Sequence, residues 1–342
     1  MADAPAQEIL PTTVLTGFLG SGKTSLLRRA LASPAFADTA VIINEVGEIA
    51  IDHYLLDFVE GNVLELPGGC LCCAVREDLA RTLRDLIERR DAGELRPFRR
   101  VVIETSGLAD PAPILFTLGA DPMLDARLSL ARVVTLVDAV NGAASLAQFA
   151  EAARQVAVAD ALVVSKTDLV PISPELDAQL TALNGAAERV LGTAAQDPAV
   201  ILFAGARRRQ DLPSGDVRAA HSHGIDSFAM VLGTPAGRLD FARALGGLAR
   251  ERGTDLLRVK GLIAFADRPD RPALVQAAQH AMFAPEWLDD WPDGDRRSRL
   301  VFVVHDISRA EILTHFAFAS PMILGPQASR LHIGETPALL DT

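Results

Sequence analysis

The sequence predicts an α/β protein in which a mainly parallel sheet carries helices on both faces, followed by a smaller α+β domain. Three observations support this prediction. Short apolar runs alternate with amphipathic segments over the first 200 residues, a polar stretch interrupts the alternation near residue 205, and a different order of segments follows. Alternating strands and helices are typical of βαβ units, which form parallel sheets with both faces covered.

Six short apolar runs are the predicted strands of the first domain. They are TVLT ending at Thr16, VIIN at 41–44, VVIET at 101–105, VVTLVD at 133–138, ALVVS at 161–165 and VILFA at 200–204. The segments 23–32 and 76–90 lie between them. Their apolar residues recur at helical spacing, so both segments are predicted to be helices.

A polar stretch from about 205 to 226 predicts a linker. We therefore place the first domain at 1–222 and the second at 227–342. In the second domain, strands are predicted at SFAMVLG, LLRVKGLIAF, ALVQAAQH and RLVFVVH, and helices from about 237 to 252 and from about 308 onward. Two helices packed on a small, mostly antiparallel sheet is the simplest arrangement of these segments.

Composition excludes several classes of function. The 342 residues carry a net charge of -11 at pH 7, which argues against broad binding to nucleic acid, because such binding needs a clustered basic surface. No apolar run approaches the length of about 18 residues typical of a membrane span. The N-terminus lacks the basic start and apolar run of a secretory signal. We expect a cytoplasmic protein that binds neither nucleic acid nor membrane.

The segment GFLGSGKT, from Gly17 to Thr24, matches G-x-x-x-x-G-K-[ST] between a predicted strand and a predicted helix. Backbone N–H groups of such a loop wrap phosphates, Lys23 reaches the β and γ phosphates, and Thr24 can bind Mg²⁺. An ordinary tight turn is the alternative, which the flanking strand and helix disfavour. The predicted nucleotide-binding residues here are Gly17, Gly20, Ser21, Gly22, Lys23, Thr24 and Ser25.

Glu104 ends the apolar run VVIET and is followed by a small-residue turn at Gly107. A carboxylate at the end of a buried strand near a P-loop can hold Mg²⁺ through water or orient the attacking water. The alternative is a solvated strand end. We predict Thr24 and Glu104 as the magnesium site, and Lys23 and Glu104 as catalytic residues.

The run ALVVSKTD places Ser165, Lys166 and Asp168 directly after a predicted strand. It resembles the N-K-x-D signature of guanine binding, in which the Asp carboxylate accepts two N–H groups that guanine offers and adenine lacks. Ser165 is shorter than the usual Asn, which leaves its contact to the base or to the P-loop open. An exposed polar turn is the alternative interpretation.

All three cysteines, Cys70, Cys72 and Cys73, fall within four residues, too close together for a disulfide framework. Thiolates are soft ligands, and three of them need one more ligand to complete tetrahedral coordination of zinc. In an extended strand Cys70 and Cys72 would share a face opposite Cys73, so either the segment curls or two thiolates bind at a time. The alternative is a set of small buried apolar side chains.

Five segments, in the order GFLGSGKT, INEVGEIAID, GGCLCC, ETSGLADP and SKTD, resemble the CobW family of P-loop GTPases. The segments KGLIAF and WPDGDRRSRLVFV resemble the CobW C-terminal domain. The resemblance implies a GTP-dependent metallochaperone that binds Zn²⁺ or Co²⁺ at the C-x-C-C segment and delivers it to a client metalloprotein or metal-insertion enzyme. It also implies that INEVGEIAID is a switch segment, with Glu45 as a fourth metal ligand or nucleotide sensor. A homodimer is compatible with it.

Three further expectations follow from the sequence. Many CobW relatives carry a histidine-rich stretch, whereas this chain has only His221 and His223 in the linker. We favour a plain polar linker over a metal-binding histidine pair, and we do not expect storage of many metal ions. No glutamine or arginine finger is evident, although Arg76 lies near the cysteines, so slow intrinsic hydrolysis is expected. The competing functions are a P-loop small-molecule kinase and a GTPase whose metal is purely structural.

Overall fold

The structure is a computed structural model that describes residues 8–44, 63–65, 72–193, 196–203, 223–292 and 295–324. Within these ranges, no helix is both long and apolar enough to cross a lipid bilayer. The strands of the first sheet are β1 Leu10–Gly17, β2 Thr39–Asn44, β3 Val63–Glu65, β4 Arg100–Thr105, β5 Leu128–Asp138, β6 Ala161–Ser165 and β7 Glu188–Gly192. The helices around it are α1 Lys23–Leu31, α2 Cys72–Asp91, α3 Ala112–Ala120, α4 Pro122–Arg127, α5 Gly142–Gln148, α6 Ala150–Ala157, α7 Pro174–Asn184 and α8 Pro198–Phe203.

The first sheet is parallel, with strand order β3-β2-β4-β1-β5-β6-β7. Successive residues of a strand point to opposite faces, and in β1 both Val14 and Leu15 are fully buried. Leu15 packs in a cluster with side chains of α1 and α8, whereas Val14 belongs to a cluster that includes α2, α3, α6 and α7. Both faces are therefore covered, which confirms the predicted α/β class.

One predicted strand of the first domain is wrong. The run VILFA at 200–204 was predicted as a strand, but its described residues, 200–203, belong to helix α8 Pro198–Phe203. Asp197 accepts a hydrogen bond from the backbone N–H of Ala199 at 2.9 Å, and Pro198 occupies the first turn, which are both helix-start features. The sequence pattern did not indicate the two edge strands of the sheet, β3 and β7.

The second sheet has the order β11-β10-β9-β13-β8-β14, with β12 paired to β10, and all of these strand pairings are antiparallel. Its strands are β8 Ile225–Leu232, β9 Leu256–Phe265, β10 Arg268–Ala278, β11 Ala281–Met282, β12 Glu286–Trp287, β13 Arg299–His305 and β14 Pro321–Ile323. Helices α9 Arg238–Arg252 and α10 Arg309–His315 pack with this sheet in a shared core. The predicted α+β arrangement is confirmed.

The second sheet also contributes to the core of the first domain. Ile225, Leu257, Ala278 and Val303 are buried in the same apolar cluster as helices α2, α3, α6 and α7. Beside this contact, Asp160 lies just before β6 and accepts hydrogen bonds from Arg258 and Lys260 of β9, both at 2.8 Å. The two sheets therefore share an apolar interface with a buried cluster of one acid and two bases.

Candidate nucleotide site

The P-loop follows β1 and depends on glycine at two positions. Gly17 has a φ of 142°, and a Cβ atom there would lie 2.5 Å from the carbonyl oxygen of Leu136. Gly22, with a φ of 97°, occupies the N-cap of α1. An L side chain is strained in either conformation, so the glycines allow the loop to turn tightly between β1 and α1.

Lys23 begins helix α1 and its ammonium group lies against the P-loop backbone. The Nζ atom donates to the carbonyl oxygens of Gly17 at 2.6 Å and Phe18 at 3.4 Å. Lys23 is 8% exposed, so its charge is held inside the loop rather than in solvent. Of the other predicted P-loop residues, Gly20 and Ser25 are exposed and Ser21 is buried.

The structure places the two predicted magnesium ligands together. Thr24 lies in the first turn of α1, and its Oγ1 donates to Oε1 of Glu104 at 3.3 Å. Glu104 lies near the end of β4, which neighbours β1 in the sheet, and is 2% exposed. Because Mg²⁺ prefers hard oxygen ligands, a hydroxyl beside a carboxylate next to a phosphate loop fits this ion.

The segment after β4 packs directly against the P-loop. A Cβ atom on Gly107 would lie 2.9 Å from the backbone nitrogen of Leu19, so only glycine allows this approach. Thr105 donates through Oγ1 to Oγ1 of Thr16 at 2.7 Å, which ties the end of β4 to β1. Residues 106–110 thus form a loop, here called the sensor loop, that lies beside Leu19 of the P-loop.

Helix α6 holds the sensor loop from the other side. The Nε2 atom of Gln155 donates to the carbonyl oxygens of Gly107 at 3.1 Å and Ala109 at 2.9 Å. Arg154 forms an ion pair with Asp110 at 3.1 Å. These two α6 residues were not predicted from the sequence, because their contacts span more than 40 residues and no local motif marks them.

The predicted guanine-binding residues follow β6, two strands from β1 in the sheet. Ser165 donates through Oγ to the carbonyl oxygen of Ser21 in the P-loop at 2.7 Å. The sequence left open whether the short side chain of Ser165 reaches the P-loop, and in the structure it does. Lys166 has a φ of 59°, a left-handed conformation, and Asp168 is exposed to solvent at the same end of the sheet.

Asp138, at the end of β5, positions Lys166. Its Oδ2 accepts from the Lys166 ammonium at 2.6 Å, and its Oδ1 from the backbone N–H of Val140 at 2.7 Å. Burial raises the pKa of Asp138, but these hydrogen bonds and that of Asn141 outweigh it, so the pKa lies below its ordinary value. Asp138 was not predicted as a site residue from the sequence, although it follows the apolar run VVTLV just as Glu104 ends an apolar run.

The predicted transition-metal site falls largely outside the described residues. Glu45 and Cys70 lie outside them, and Cys72 and Cys73 are described only as the helical start of α2. Among the described side chains, no group of three His, Cys, Asp or Glu residues is arranged to hold a metal ion. Since Cys72 and Cys73 are helical, the extended-strand arrangement considered for the three cysteines does not apply to these two.

Only one of the two linker histidines is described. His221 lies outside the described residues, whereas the Nε2 atom of His223 lies 3.1 Å from the carbonyl oxygen of Leu146 in α5. This hydrogen bond gives the His223 ring a structural role between the linker and the first domain. It accords with the polar-linker interpretation of this segment.

Family models match most of the chain. The model described as "CobW/HypB/UreG, nucleotide-binding domain" matches residues 11–190, and that described as "Cobalamin synthesis protein cobW C-terminal domain" matches residues 225–319. The chain is 33% identical over 314 residues to the zinc chaperone YjiA of Escherichia coli (strain K12), covering 90% of this chain and 98% of that protein. It is 31% identical to the zinc chaperone CobW of a Sinorhizobium species, covering 89% and 95%.

Solved structures agree with the sequence comparisons. The Zn(II)-bound crystal structure of the YjiA GTPase from E. coli superimposes with a TM-score of 0.67 at 28% identity, covering 92% of this chain and 99% of that chain. A Zn(II)-bound triple mutant of YjiA, with one glutamate and two cysteines changed to alanine, superimposes with a TM-score of 0.69 at 29% identity, covering the same shares.

Proposed function

The chain belongs to the CobW family of P-loop GTPases, and we propose that it is a GTP-hydrolysing metallochaperone that binds Zn²⁺, or less readily Co²⁺, and delivers it to a client metalloprotein. The observation that carries the proposal is the meeting of three separate motifs at one edge of the first sheet. The P-loop with Lys23 and Thr24 follows β1, Glu104 lies near the end of β4, and the base-binding segment follows β6. The carboxyl ends of these three strands form that edge.

In the proposed reaction, P-loop backbone N–H groups and the Lys23 ammonium bind the phosphates of GTP. Thr24 and Glu104 would hold Mg²⁺, which neutralises charge on the transferred phosphate when bound. Glu104 can also orient the attacking water, because it ends beside the P-loop and is shielded from bulk solvent. We expect slow hydrolysis without a partner, and turnover of many GTP per second by the purified protein would contradict this.

Guanine selection is proposed for Asp168, with Lys166 covering the base plane. The bond from Ser165 to Ser21 supports this role, since it fixes the base-binding segment to the phosphate loop. The contact between Asp138 and Lys166 holds the lysine stem in place. Adenine would leave the Asp168 carboxylate facing groups that cannot donate to it.

For the transferred metal, the proposed ligands are Cys70, Cys72, Cys73 and Glu45. Thiolates are soft ligands suited to zinc and other late transition metals, and three of them need one more ligand to complete tetrahedral coordination. The names of the relatives, two of them zinc chaperones, support zinc over cobalt.

The described contacts of α2 offer a connection between metal and nucleotide. Arg84 of α2 forms an ion pair at 3.0 Å with Asp121, which directly follows α3. Helix α3 in turn begins just after the sensor loop. Displacement of α2 by metal binding would therefore reach the segment that lies against the P-loop.

The proposal is tested by letting the protein compete with a chromogenic chelator for Zn²⁺ and, separately, for Co²⁺. The titration is done with GTP, with a non-hydrolysable GTP analogue and with GDP. We expect one tight site whose affinity differs between the GTP-bound and GDP-bound protein and which is lost in Cys72→Ala. The Lys23→Ala variant is the control, because it should keep the metal site but lose its dependence on nucleotide.

Total zinc content is not a sufficient measurement, because the YjiA variant lacking one glutamate and two cysteines is still Zn(II)-bound. The competing chelator is therefore needed, because it removes weakly bound metal and leaves the tight site to be measured. Metal affinity that is independent of nucleotide would leave a GTPase with a structural metal. Transfer of phosphate to a metabolite instead of water would indicate a kinase.

A further inference from the structure

The sensor loop is held at both of its edges by different elements. On one side Gly107 touches Leu19 of the P-loop, and on the other Gln155 of α6 donates to the carbonyl oxygens of Gly107 and Ala109. A peptide whose carbonyl is fixed has its N–H and Cα directions fixed as well. Within the loop, the N–H groups of Leu108 and Ala109 donate to Oγ and O of Ser106 at 3.3 and 3.1 Å. Gln155 fixes the carbonyl groups of the same backbone from outside the loop.

Gln155 is fully buried, yet it is not satisfied as a core residue would be. Both bonds use Nε2, while the Oε1 atom has no hydrogen-bond partner among the described residues. The side chain lines a pocket of about 300 Å³, counting the part open to solvent, together with Phe18, Leu19 and Ser21 of the P-loop. A buried amide with an unused acceptor costs free energy, so its retention beside the P-loop points to a role other than stability.

We propose that Gln155, assisted by Arg154, is a positioning residue for GTP hydrolysis that holds the sensor loop against the P-loop. This inference rests on the proposed GTPase function. Gln155 acts on the loop backbone and does not touch the nucleotide. Arg154 fixes the end of the same loop through Asp110, whose Oδ1 also accepts from the backbone N–H of Ala112 at the start of α3.

The loop begins two residues beyond Glu104, the proposed Mg²⁺ ligand, and contacts Leu19 of the P-loop. Loops beside the phosphates of GTPases respond to the γ-phosphate, so we expect the position of this loop to affect GTP and GDP differently. With Gln155 in place, the loop backbone is ordered before GTP binds, and hydrolysis gains from that preorganisation. GDP has no γ-phosphate to meet the loop. Loss of the amide should therefore lower the rate of hydrolysis while leaving the affinity for GDP unchanged.

The test compares wild type with Gln155→Met, which keeps the side-chain length but cannot donate to either carbonyl. Single-turnover hydrolysis, the KM for GTP, the Kd for GDP and Tm are measured on the full chain. We expect kcat to fall about tenfold, with the Kd for GDP within about twofold of wild type. A purely structural role would weaken GTP and GDP binding together.

The matched control is Gln276→Met, the same substitution in β10. Gln276 also donates through Nε2 to a backbone carbonyl, that of Leu130 at 3.2 Å, but at the interface between the sheets. We expect Gln276→Met to lower Tm without changing kcat. Equal losses of kcat in Gln155→Met and Gln276→Met would overturn the inference, because the effect would then be general destabilisation.

Two outcomes separate this inference from the proposed function. Absence of GTP hydrolysis by the wild-type protein would reject the proposed function itself. Wild-type hydrolysis with an unchanged kcat in Gln155→Met would reject only the positioning role. If Gln155→Met does not fold, Arg154→Gln decides, because Arg154 is about one-third exposed and its replacement is expected to leave the fold intact. An unchanged kcat in that variant would overturn the inference.

Discussion

Replacing Asp160 with asparagine removes the negative charge that two basic side chains of the second sheet share. The side chain of Asp160 is 16% exposed and that of Arg258 is 7% exposed, so the pair is shielded from water. Arg258 and Lys260 each donate to it at 2.8 Å, and the backbone N–H of Val133 donates at the same distance. Without Asp160 two positive charges would remain at the interface.

The expected cost follows from this geometry. Removing one partner of a buried ion pair costs about 3–5 kcal/mol, because the other partner stays buried and uncompensated. Asparagine can still accept from Val133, so we expect a loss near the lower figure, about 3 kcal/mol. Asp267→Asn is the control: Asp267 pairs with Arg238 at 2.6 Å, but both side chains are more than half exposed, and such surface pairs contribute about 0–1 kcal/mol.

The dependence on pH gives a second measurement. Burial alone would raise the pKa of Asp160, but Arg258 and Lys260 outweigh it and hold the pKa well below its ordinary value. A depressed folded-state pKa stabilises the fold fully above the unfolded-state pKa, about 3.9 for Asp, and this stabilisation is lost as the pH falls below that value. The difference between wild type and Asp160→Asn should therefore be constant from pH 7 to pH 5 and shrink below about pH 4.

Urea unfolding followed by tryptophan fluorescence and far-UV circular dichroism measures both effects. Both tryptophans, Trp287 and Trp291, are in the second domain, whereas circular dichroism reports on the whole chain. The reasoning is refuted if Asp160→Asn costs less than about 1 kcal/mol at pH 7, as an exposed pair would. A difference that stays constant down to pH 3 would equally refute the pKa argument.

Two further predictions concern the nucleotide site. Gly17→Ala should weaken GTP binding at least tenfold in a fluorescent-nucleotide titration, because the added Cβ would lie 2.5 Å from the Leu136 carbonyl oxygen. The control is Gly93→Ala, which should bind GTP normally, because Gly93 also has a positive φ, 74°, but no atom near the added Cβ. Asp168→Asn should lower the affinity for GTP about 100-fold and raise that for xanthosine triphosphate, whose 2-oxo group can accept from the new amide. Unchanged base preference in Asp168→Asn would remove Asp168 from the base site.

The parts of the fold predicted from sequence are those with a local signal. Strand β1, the P-loop and helix α1 carry an apolar run, a glycine pattern and an amphipathic repeat in immediate succession, and the structure has them in that order. The run VILFA had only apolarity, which does not separate a short strand from a short helix. Asp197 and Pro198, just before this run, are typical of a helix start, and the structure has Asp197 accepting from the N–H of Ala199 there.

Within the candidate site, sequence patterns predicted groups to contact the nucleotide but gave no sign of the side chains that hold those groups in place. Gln155 lies 48 residues from Gly107 at this site, and at the interface between the two sheets Arg258 lies 98 residues from Asp160. Such contacts depend on how the elements pack, which no short motif encodes. Ser165 is an intermediate case, since its identity was read correctly while its bond to Ser21 required the fold.

The position of β13 in the second sheet has a consequence for synthesis of the protein on the ribosome. This strand lies between β9 and β8, yet it spans residues 299–305 and is translated long after them. Until it emerges, the sheet lacks an inner strand, and the face of the first domain that Val303 helps to cover stays open to water. The nascent chain therefore exposes an apolar surface from completion of the first sheet until β13 emerges. Premature termination before residue 305 should yield an aggregation-prone product rather than a free nucleotide-binding domain.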